Sequence, residues 1–254
     1  MSSPQTLLLD VYLKRLRLPS MLKQYRKMAS QAAQANMTHE QYLHALAEME
    51  VHNRDNNAQA QRIRQARFPA EKTLEQFDFA ALPTLNKPLV LKLAQGEFIA
   101  KAENVVFGGN SGTGKSHLAI ALGMAACRQG HSVGFYTAAD LVNTLLEAQS
   151  KYQLSRLETR IQKLDLLIVD ELGYLSLSEA GVKLLFSLFS NRHERKSTLI
   201  TTNLPFEEWD TVFKDPAMTV ALVDRLAHHC HLVQMNGDSY RFKQSLKAQE
   251  TATT

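Results

Sequence analysis

The sequence predicts an α/β protein in which a mostly parallel five-stranded sheet is flanked by helices and preceded by a small all-helical domain. Short apolar, β-branched segments alternate with helical patterns from about residue 89 onward, which is typical of a parallel sheet covered on both faces. The first 67 residues follow helical spacing instead. A glycine-rich segment, GGNSGTGKSHLA at 108–119, lies between the first predicted strand and the next helix. We therefore divide the chain into a helical domain (1–67), a connector (68–88) and an α/β domain (89–254).

The helical domain is predicted from apolar residues that recur every three or four positions on both sides of Pro19, where the pattern is interrupted. These residues are Leu9, Leu13, Leu16, Leu22, Tyr25 and Met28. Thr38 and Gln41 have the spacing of a capping box, which predicts a long helix from there to about Arg67. We expect this domain to serve oligomerisation or contact with DNA or a partner protein.

The connector contains three prolines but also Phe68, Phe77 and Phe79. Aromatic side chains of this size favour burial, so we expect the connector to dock on the core of the α/β domain.

Five segments in the α/β domain have the length and composition of strands, namely 104–109, 132–138, 164–170, 197–203 and 230–235. Helices are predicted at 115–129 and at 176–195, the second opened by Ser176 and Glu179 in capping-box spacing. The stretch between the second and third strands is too long for one connecting helix, and we expect two helices there.

Residues 109–116 match the phosphate-binding pattern G-x-x-x-x-G-K-[ST] in full. Glycines let successive backbone N–H groups point at phosphate oxygens, and the helix N-terminus adds partial positive charge. Lys115 is expected to neutralise the β- and γ-phosphates of ATP, and the Ser116 hydroxyl to bind Mg²⁺. A ligand-free glycine turn is disfavoured because both the preceding strand and the following helix fit. The predicted nucleotide contacts are Gly109, Asn110, Ser111, Gly112, Thr113, Gly114, Lys115, Ser116 and His117.

Asp170 and Glu171 end the third predicted strand. With the phosphate loop present, Asp170 is expected to hold Mg²⁺ through water and Glu171 to act as general base toward the attacking water. Alone, the two acids would indicate a helix cap.

Asn203 ends the fourth strand and is a candidate for orienting the attacking water, although before Leu-Pro it also suits a turn. Arg225 precedes the last strand; it is either a solvated helix arginine or one that reaches the γ-phosphate of a neighbouring subunit.

With these motifs in order, the chain resembles the IstB-type helper ATPases of insertion-sequence transposons, which are AAA+ proteins close to the DnaC-type helicase loaders. The resemblance runs nearly end to end and rests most specifically on LLIVDELGYL and ARFPAEKTLEQFDF. It implies a P-loop AAA+ core, with Asp170 and Glu171 as the Walker B pair, Asn203 as the sensor and Arg225 as the finger. It also implies ATP-dependent assembly on double-stranded DNA, which is captured and remodelled for the transposase of the same element.

Eighteen residues, 237–254, follow the last predicted strand. An AAA+ lid is several times longer, so we expect no C-terminal lid. A neighbouring subunit would then have to complete the site, and we expect ATPase activity to depend on formation of a homo-oligomer.

Two basic groups are candidates for contact with DNA. Lys151, Arg156, Arg160 and Lys163 cluster near the second of the two predicted helices in the insertion, and Arg54, Arg62 and Arg64 form a stripe on the long N-terminal helix. On charge alone, the first group could equally be a solvated helix face with ion pairs to Glu147 and Glu158. The second group could equally belong to a polar helix that crosses between subunits.

Composition excludes several classes of protein. No apolar run has the length of a membrane span, and the N-terminus lacks the pattern of a signal peptide. Two distant cysteines, Cys127 and Cys230, do not suggest a disulfide framework, so a cytoplasmic location is expected. The contiguous run His228–His231 lacks the spaced ligand pairs of zinc sites. The net charge of +4 is compatible with binding to nucleic acid without requiring it.

Two alternatives to the transposition helper remain open. A DnaC-like loader would deliver a replicative helicase rather than DNA for a transposase. A small-molecule kinase also carries a P-loop, but it needs an acceptor-binding lid, and the acids at the end of the third strand favour water as the acceptor.

Overall fold

A computed structural model of the chain describes residues 4–174 and 177–240. The chain forms two compact units, which divide between Gln61 and Arg62. Ser176, which was predicted to open a helix, and the segment after 240 to which the lid expectation refers lie outside the described residues.

The N-terminal unit is helical. Its helices are α1 (Pro4–Arg15), α2 (Pro19–Gln34) and α3 (His39–Ala66), the last of which continues into the second unit. Pro19 is the first residue of α2, where its missing N–H costs no hydrogen bond. The capping box is confirmed, because the Thr38 hydroxyl accepts from the Gln41 N–H at 3.2 Å and the Gln41 side chain accepts from the Thr38 N–H at 2.9 Å.

A small apolar core holds this unit together. Leu13, Tyr25 and Leu46 are buried at its centre. The predicted apolar face of α1 is only partly correct, because Leu9 and Leu16 are exposed while Leu13 is buried.

The second unit contains the sheet, whose five strands are confirmed with ends that differ by one or two residues from the predicted ones. They are β1 (Asn104–Gly108), β2 (Val133–Thr137), β3 (Leu166–Leu172), β4 (Ser197–Thr202) and β5 (Cys230–Gln234). Every pairing is parallel, and the order is β2-β3-β4-β1-β5. The carboxyl ends of β1, β3 and β4, which are adjacent in this order, therefore meet at one edge.

Helices connect these strands. They are α4 (Lys87–Leu93), α5 (Glu97–Ala100), α6 (Lys115–Arg128), α7 (Ala138–Ser150), α8 (Leu154–Gln162), α9 (Glu179–Arg192), α10 (Asp210–Phe213) and α11 (Pro216–Ala227). The pair α7 and α8 confirms the two helices expected between β2 and β3. The predicted start of α9 at Ser176 is wrong: the helix begins at Glu179, and the Ser178 hydroxyl caps it by accepting from the Gly181 N–H.

Alternate residues of the buried strands face opposite sides of the sheet. Val105 and Phe107 belong to one apolar cluster and Val106 to the other, as the two-residue period of a strand requires. As predicted, Phe68, Phe77 and Phe79 of the connector pack against the first cluster. The connector is thereby held beside the helix that follows the glycine-rich loop.

Candidate nucleotide-binding site

The glycine-rich segment joins β1 to α6, which is the context that the motif requires. Gly112 and Gly114 have φ angles of +80° and +95°, which residues that carry a side chain rarely adopt. Space adds a second restriction at Gly114, since a Cβ there would lie 2.6 Å from Cε2 of Phe77. Both glycines are therefore needed for the backbone conformation, and Gly114 is also needed for the approach of the connector.

A cavity of about 460 Å³ opens beside this loop. Its lining comes from the loop and the start of α6, from the acids that end β3, from β4, from the connector and from the last described residues. From the predicted set it includes Ser111, Gly112, Thr113, Gly114, Lys115, Ser116, His117, Asp170 and Glu171. Gly109 and Asn110 instead line a neighbouring cavity of about 360 Å³.

Ser116 and Asp170 are brought into direct contact although 54 residues separate them. The Ser116 hydroxyl donates to Oδ1 of Asp170 at 2.9 Å, and the carboxylate is almost fully buried. Adjacent oxygen ligands of an octahedral Mg²⁺, each bound at 2.0–2.1 Å, lie about 2.9 Å apart. The spacing of these two oxygens therefore suits direct binding of one Mg²⁺ ion, whereas the sequence analysis expected Asp170 to hold the ion through water.

Thr201 is a site residue that sequence reasoning missed. Its hydroxyl donates to the same Asp170 oxygen at 2.5 Å and accepts from the Glu171 N–H at 2.9 Å. Thr201 is 1% exposed, in the middle of the β4 pattern STLITT, and the sequence gives no local sign that its hydroxyl faces the acids. It fixes both acids relative to β4.

Glu171 reaches the cavity from an unusual backbone position. Its φ is +62°, and the pairing of β3 with β4 shifts register between Val169 and Leu172. A bulge of this kind re-aims one side chain at the end of a strand. The buried Asp170 and the exposed Glu171 are thus separated into two environments.

The Lys115 ammonium lies against the loop itself. Nζ donates to the carbonyls of Gly109 and Asn110 at 2.7 and 2.6 Å, and the residue is 7% exposed. A buried cation placed beside backbone N–H groups gives the loop a positive lining that suits an anion.

The connector forms part of the cavity wall, which sequence analysis did not foresee. Phe77 packs edge-on against the His117 ring at 5.3 Å, and His117 Nε2 donates to the Thr73 carbonyl at 2.9 Å. Three phenylalanines in a proline-rich stretch signalled docking, but not the place where the connector docks.

Asn203 and Arg225 do not line the main cavity. Asn203 is exposed directly after β4 and lines the neighbouring cavity with Gly109 and Asn110. Arg225, on α11, donates to the Ser190 hydroxyl, and its guanidinium lies over the Phe186 ring at 5.1 Å. Among the described lining residues there are two lysines, Lys72 and Lys115, and no arginine.

The basic residues of the insertion share one surface. Lys151, Arg156, Arg160 and Lys163 are exposed and line a groove of about 990 Å³ between α7 and α8. Lys151 forms the expected ion pair with Glu147. Tyr152, which joins the helices, is 98% exposed at a φ of +56°.

The three arginines of α3 differ in their contacts. Arg54 pairs with the buried Glu50 at 3.2 Å, and Glu50 also accepts from two N–H groups at the start of α2. Arg62 donates from Nε to the Cys127 carbonyl at 2.8 Å. Arg64 is exposed. Two of these candidates thus also take part in holding the fold together.

No helix within the described part of the chain has the length and apolarity needed to cross a membrane.

Comparison with known proteins identifies close relatives. The family described as IstB-like ATP binding protein matches residues 11–248. A putative insertion sequence ATP-binding protein of Sinorhizobium fredii is 40% identical over 94% of this chain and 81% of its own length. The putative ATP-binding protein of insertion sequence IS21 from Pseudomonas aeruginosa is 37% identical over 94% of this chain and 91% of its own.

Solved structures show the same fold at lower identity. AMPPCP-bound DnaA from Aquifex aeolicus has a TM-score of 0.57 and 23% identity, over 72% of this chain and 56% of that chain. The DnaC helicase loader has a TM-score of 0.51 and 20% identity, over 72% of this chain and 98% of that chain. The chain therefore shares its α/β fold with these DnaA and DnaC structures.

Proposed function

The chain belongs to the IstB-like ATP-binding protein family, and from this premise we propose that it hydrolyses ATP to ADP and phosphate. It does so while assembled as a homo-oligomer on double-stranded DNA. It remodels this DNA and delivers it to the transposase of the same insertion sequence. The observation that carries the ATPase part is the contact between Ser116 and Asp170 beside the phosphate loop. The insertion-sequence part rests on the relatives.

The triphosphate is bound by the loop and the start of α6. Backbone N–H groups of residues 111–116 donate hydrogen bonds to the phosphate oxygens, and the positive end of α6 faces them. Lys115 exchanges its contacts with the Gly109 and Asn110 carbonyls for the β- and γ-phosphates. The base side of the nucleotide rests on the connector, where Phe77 and His117 provide aromatic surface.

Ser116 and Asp170 hold Mg²⁺, which when bound neutralises charge on the β- and γ-phosphates. Glu171 accepts the proton of the attacking water, because its carboxylate is the more exposed of the two and lines the cavity. Asn203 orients that water from the end of β4. Thr201 positions both acids through its hydroxyl.

Arg225 acts on the γ-phosphate of a neighbouring protomer. The lack of an arginine among the described lining residues supports this role, as does the position of Arg225 away from its own chain's cavity. An arginine supplied from outside makes turnover depend on assembly.

Duplex DNA binds the groove between α7 and α8. Lys151, Arg156, Arg160 and Lys163 supply cations for phosphate contacts, and Tyr152 adds an exposed ring at the tip. Contacts of this kind carry little sequence preference and weaken with salt. Arg64 is a second candidate for contact with DNA. Arg54 and Arg62 contact DNA only through the guanidinium nitrogens that are not used in their hydrogen bonds within the protein.

Particle imaging of the full chain with duplex DNA, Mg²⁺ and ATP tests the proposal. We expect Lys115→Ala to fail to assemble because it loses the triphosphate, and Glu171→Gln to retain assembled particles because it binds ATP without hydrolysing it. Identical particles from both variants and the wild type would refute the coupling of nucleotide to assembly.

Two other functions predict different results. ATP turnover by a small-molecule kinase would not respond to duplex DNA, whereas turnover by the helper should rise. A helicase loader would retain a replicative helicase in a pull-down, whereas the helper should retain the transposase.

A further inference from the structure

Two histidines and a glutamate from separate parts of the chain lie together at the ends of two helices. Oε1 of Glu194 is 3.8 Å from Nε2 of His193 and 3.6 Å from Nδ1 of His228. The potential metal-ligand atoms of these three side chains all lie within 4.8 Å of one another. Across residues 4–174 and 177–240, no other group of three or more His, Cys, Asp or Glu side chains has its ligand atoms this close together. The three side chains are accessible to solvent.

The cluster is distinct from the nucleotide site. His193 follows the last residue of α9 and lies just before β4, and His228 caps the end of α11 just before β5. Because β4 and β5 both run parallel to β1, their starting ends lie at the same edge of the sheet. The nucleotide cavity lies at the opposite edge, beyond the carboxyl ends of β1 and β3.

Glu194 is held in a strained backbone conformation. The Arg195 N–H bonds to the Arg192 carbonyl at 3.0 Å, His193 has φ −51° and ψ 129°, and Glu194 has φ +57°. These values define a type II turn with glutamate at the position that favours glycine. The turn keeps the carboxylate within 4 Å of both imidazoles at the expense of backbone strain.

We propose that His193, Glu194 and His228 bind one transition-metal ion of the Zn²⁺ class, with water as a fourth ligand. Imidazole and carboxylate bind Zn²⁺ at about 2.0–2.2 Å, so that tetrahedral ligand atoms lie about 3.3–3.6 Å apart. The Glu194–His228 distance of 3.6 Å lies at the upper end of this range and the Glu194–His193 distance of 3.8 Å slightly exceeds it, so small rotations of accessible side chains would close the site. Two imidazoles with one carboxylate favour Zn²⁺ over Mg²⁺, which prefers oxygen ligands.

The ion would attach the end of α11 to the end of α9. One turn before His228, Arg225 already contacts Ser190 and Phe186 of α9. A bound metal adds a second attachment between the same helices. It should therefore raise the melting temperature of the folded chain, because an ion that binds only the folded state stabilises it.

Titration of the full chain with Zn²⁺ by calorimetry, and with Co²⁺ by visible absorption, tests this proposal. Excess Mg²⁺ in the buffer occupies the oxygen ligands of the nucleotide site. We expect one ion per chain. We expect His193→Ala and His228→Ala each to weaken metal binding at least about tenfold, because loss of a residue that merely orients a metal ligand already has an effect of this size. Glu194→Gly should also weaken binding while it relieves the strained turn, so that misfolding cannot explain its result.

His44→Ala is the matched control. His44 and Glu48 form an exposed pair on α3, with 3.9 Å between their nearest polar atoms, but they lack a third ligand, so this variant should bind the metal like the wild type. Any of three results would overturn the proposal. The wild type could bind Zn²⁺ no more tightly than a His193→Ala/His228→Ala double variant, or it could bind one ion per two chains. Zn²⁺ could also raise the melting temperatures of the wild type and the double variant equally.

Discussion

The hydroxyl of Ser116 donates a hydrogen bond to the Asp170 carboxylate across 2.9 Å, and this contact joins the start of α6 to the end of β3. Two motifs that are separate in the sequence thereby become one site. The contact also defines a pair of oxygen atoms whose spacing suits two adjacent ligands of Mg²⁺.

Removal of the Ser116 hydroxyl should separate nucleotide binding from turnover. We expect Ser116→Ala to lower the ATP hydrolysis rate at least about 100-fold, because the ion that stabilises charge in the transition state loses a ligand. ATP binding in the absence of Mg²⁺ should change little, as equilibrium dialysis can measure. Ser116→Thr keeps the hydroxyl and should retain most of the activity; equal loss in both variants would argue against a ligand role.

Thr201 should matter because its hydroxyl holds both acids in place. Thr201→Val keeps the shape of the side chain but leaves the Glu171 N–H without its partner and removes one of the two hydroxyl groups that donate to the Asp170 carboxylate. We expect a loss of about 1–3 kcal/mol in the free energy of unfolding, together with slower turnover. Urea unfolding and a hydrolysis assay measure the two effects. Thr201→Ser restores the hydroxyl and should recover both, which a purely steric role would not explain.

The groove between α7 and α8 should determine the salt dependence of DNA binding. Each phosphate contact removed by Arg156→Gln or Arg160→Gln should reduce the slope of log K against log salt concentration by about 0.9. Fluorescence anisotropy with a labelled duplex at several salt concentrations measures this slope. Lys183→Gln removes an exposed cation of α9 and is the control. Unchanged slopes in the arginine variants would place the DNA elsewhere.

Asp165 should contribute to stability in a defined acid window. Burial alone would raise the pKa of its carboxyl, but hydrogen bonds from Lys196 and Ser132 outweigh burial and lower the pKa from 3.8 to about 2. Because the folded pKa is the lower one, this stabilisation is present above pH 4 and is lost as the pH falls from about 4 to 2. Urea unfolding of wild type and Asp165→Asn across this range measures the effect. The difference between their unfolding free energies should shrink as the pH falls, and a constant difference would contradict the assignment.

Much of the site could be predicted because its chemistry is local in sequence. The phosphate loop needs glycines, lysine and serine at fixed spacing between a strand and a helix, and the acids at the end of β3 follow an apolar strand. The structure confirms both the strand before the loop and the helix after it. The five parallel strands were predictable for the same reason, since buried strands are continuous apolar segments.

The features that were missed depend on packing between distant segments. Nothing near Thr201 in the sequence shows that its hydroxyl will face Asp170 across two strands. The docking of Phe77 against Gly114 depends on where the connector crosses α6. Nothing in the run His228–His231 shows that His228 will lie beside His193 and Glu194, because those two residues come from the end of another helix.

The central claim is that Arg225 of one protomer completes the nucleotide site of the next, and mixing two inactive variants tests it most directly. Glu171→Gln keeps Arg225 but lacks the general base, whereas Arg225→Ala keeps an intact cavity but lacks the arginine. In an equimolar mixture on duplex DNA, head-to-tail assembly should pair an intact cavity with an intact arginine at about a quarter of the interfaces. We therefore expect the ATP hydrolysis rate of the mixture to recover to roughly that fraction of the wild-type rate. A mixture as inactive as its components, or full activity of Arg225→Ala alone, would contradict the claim.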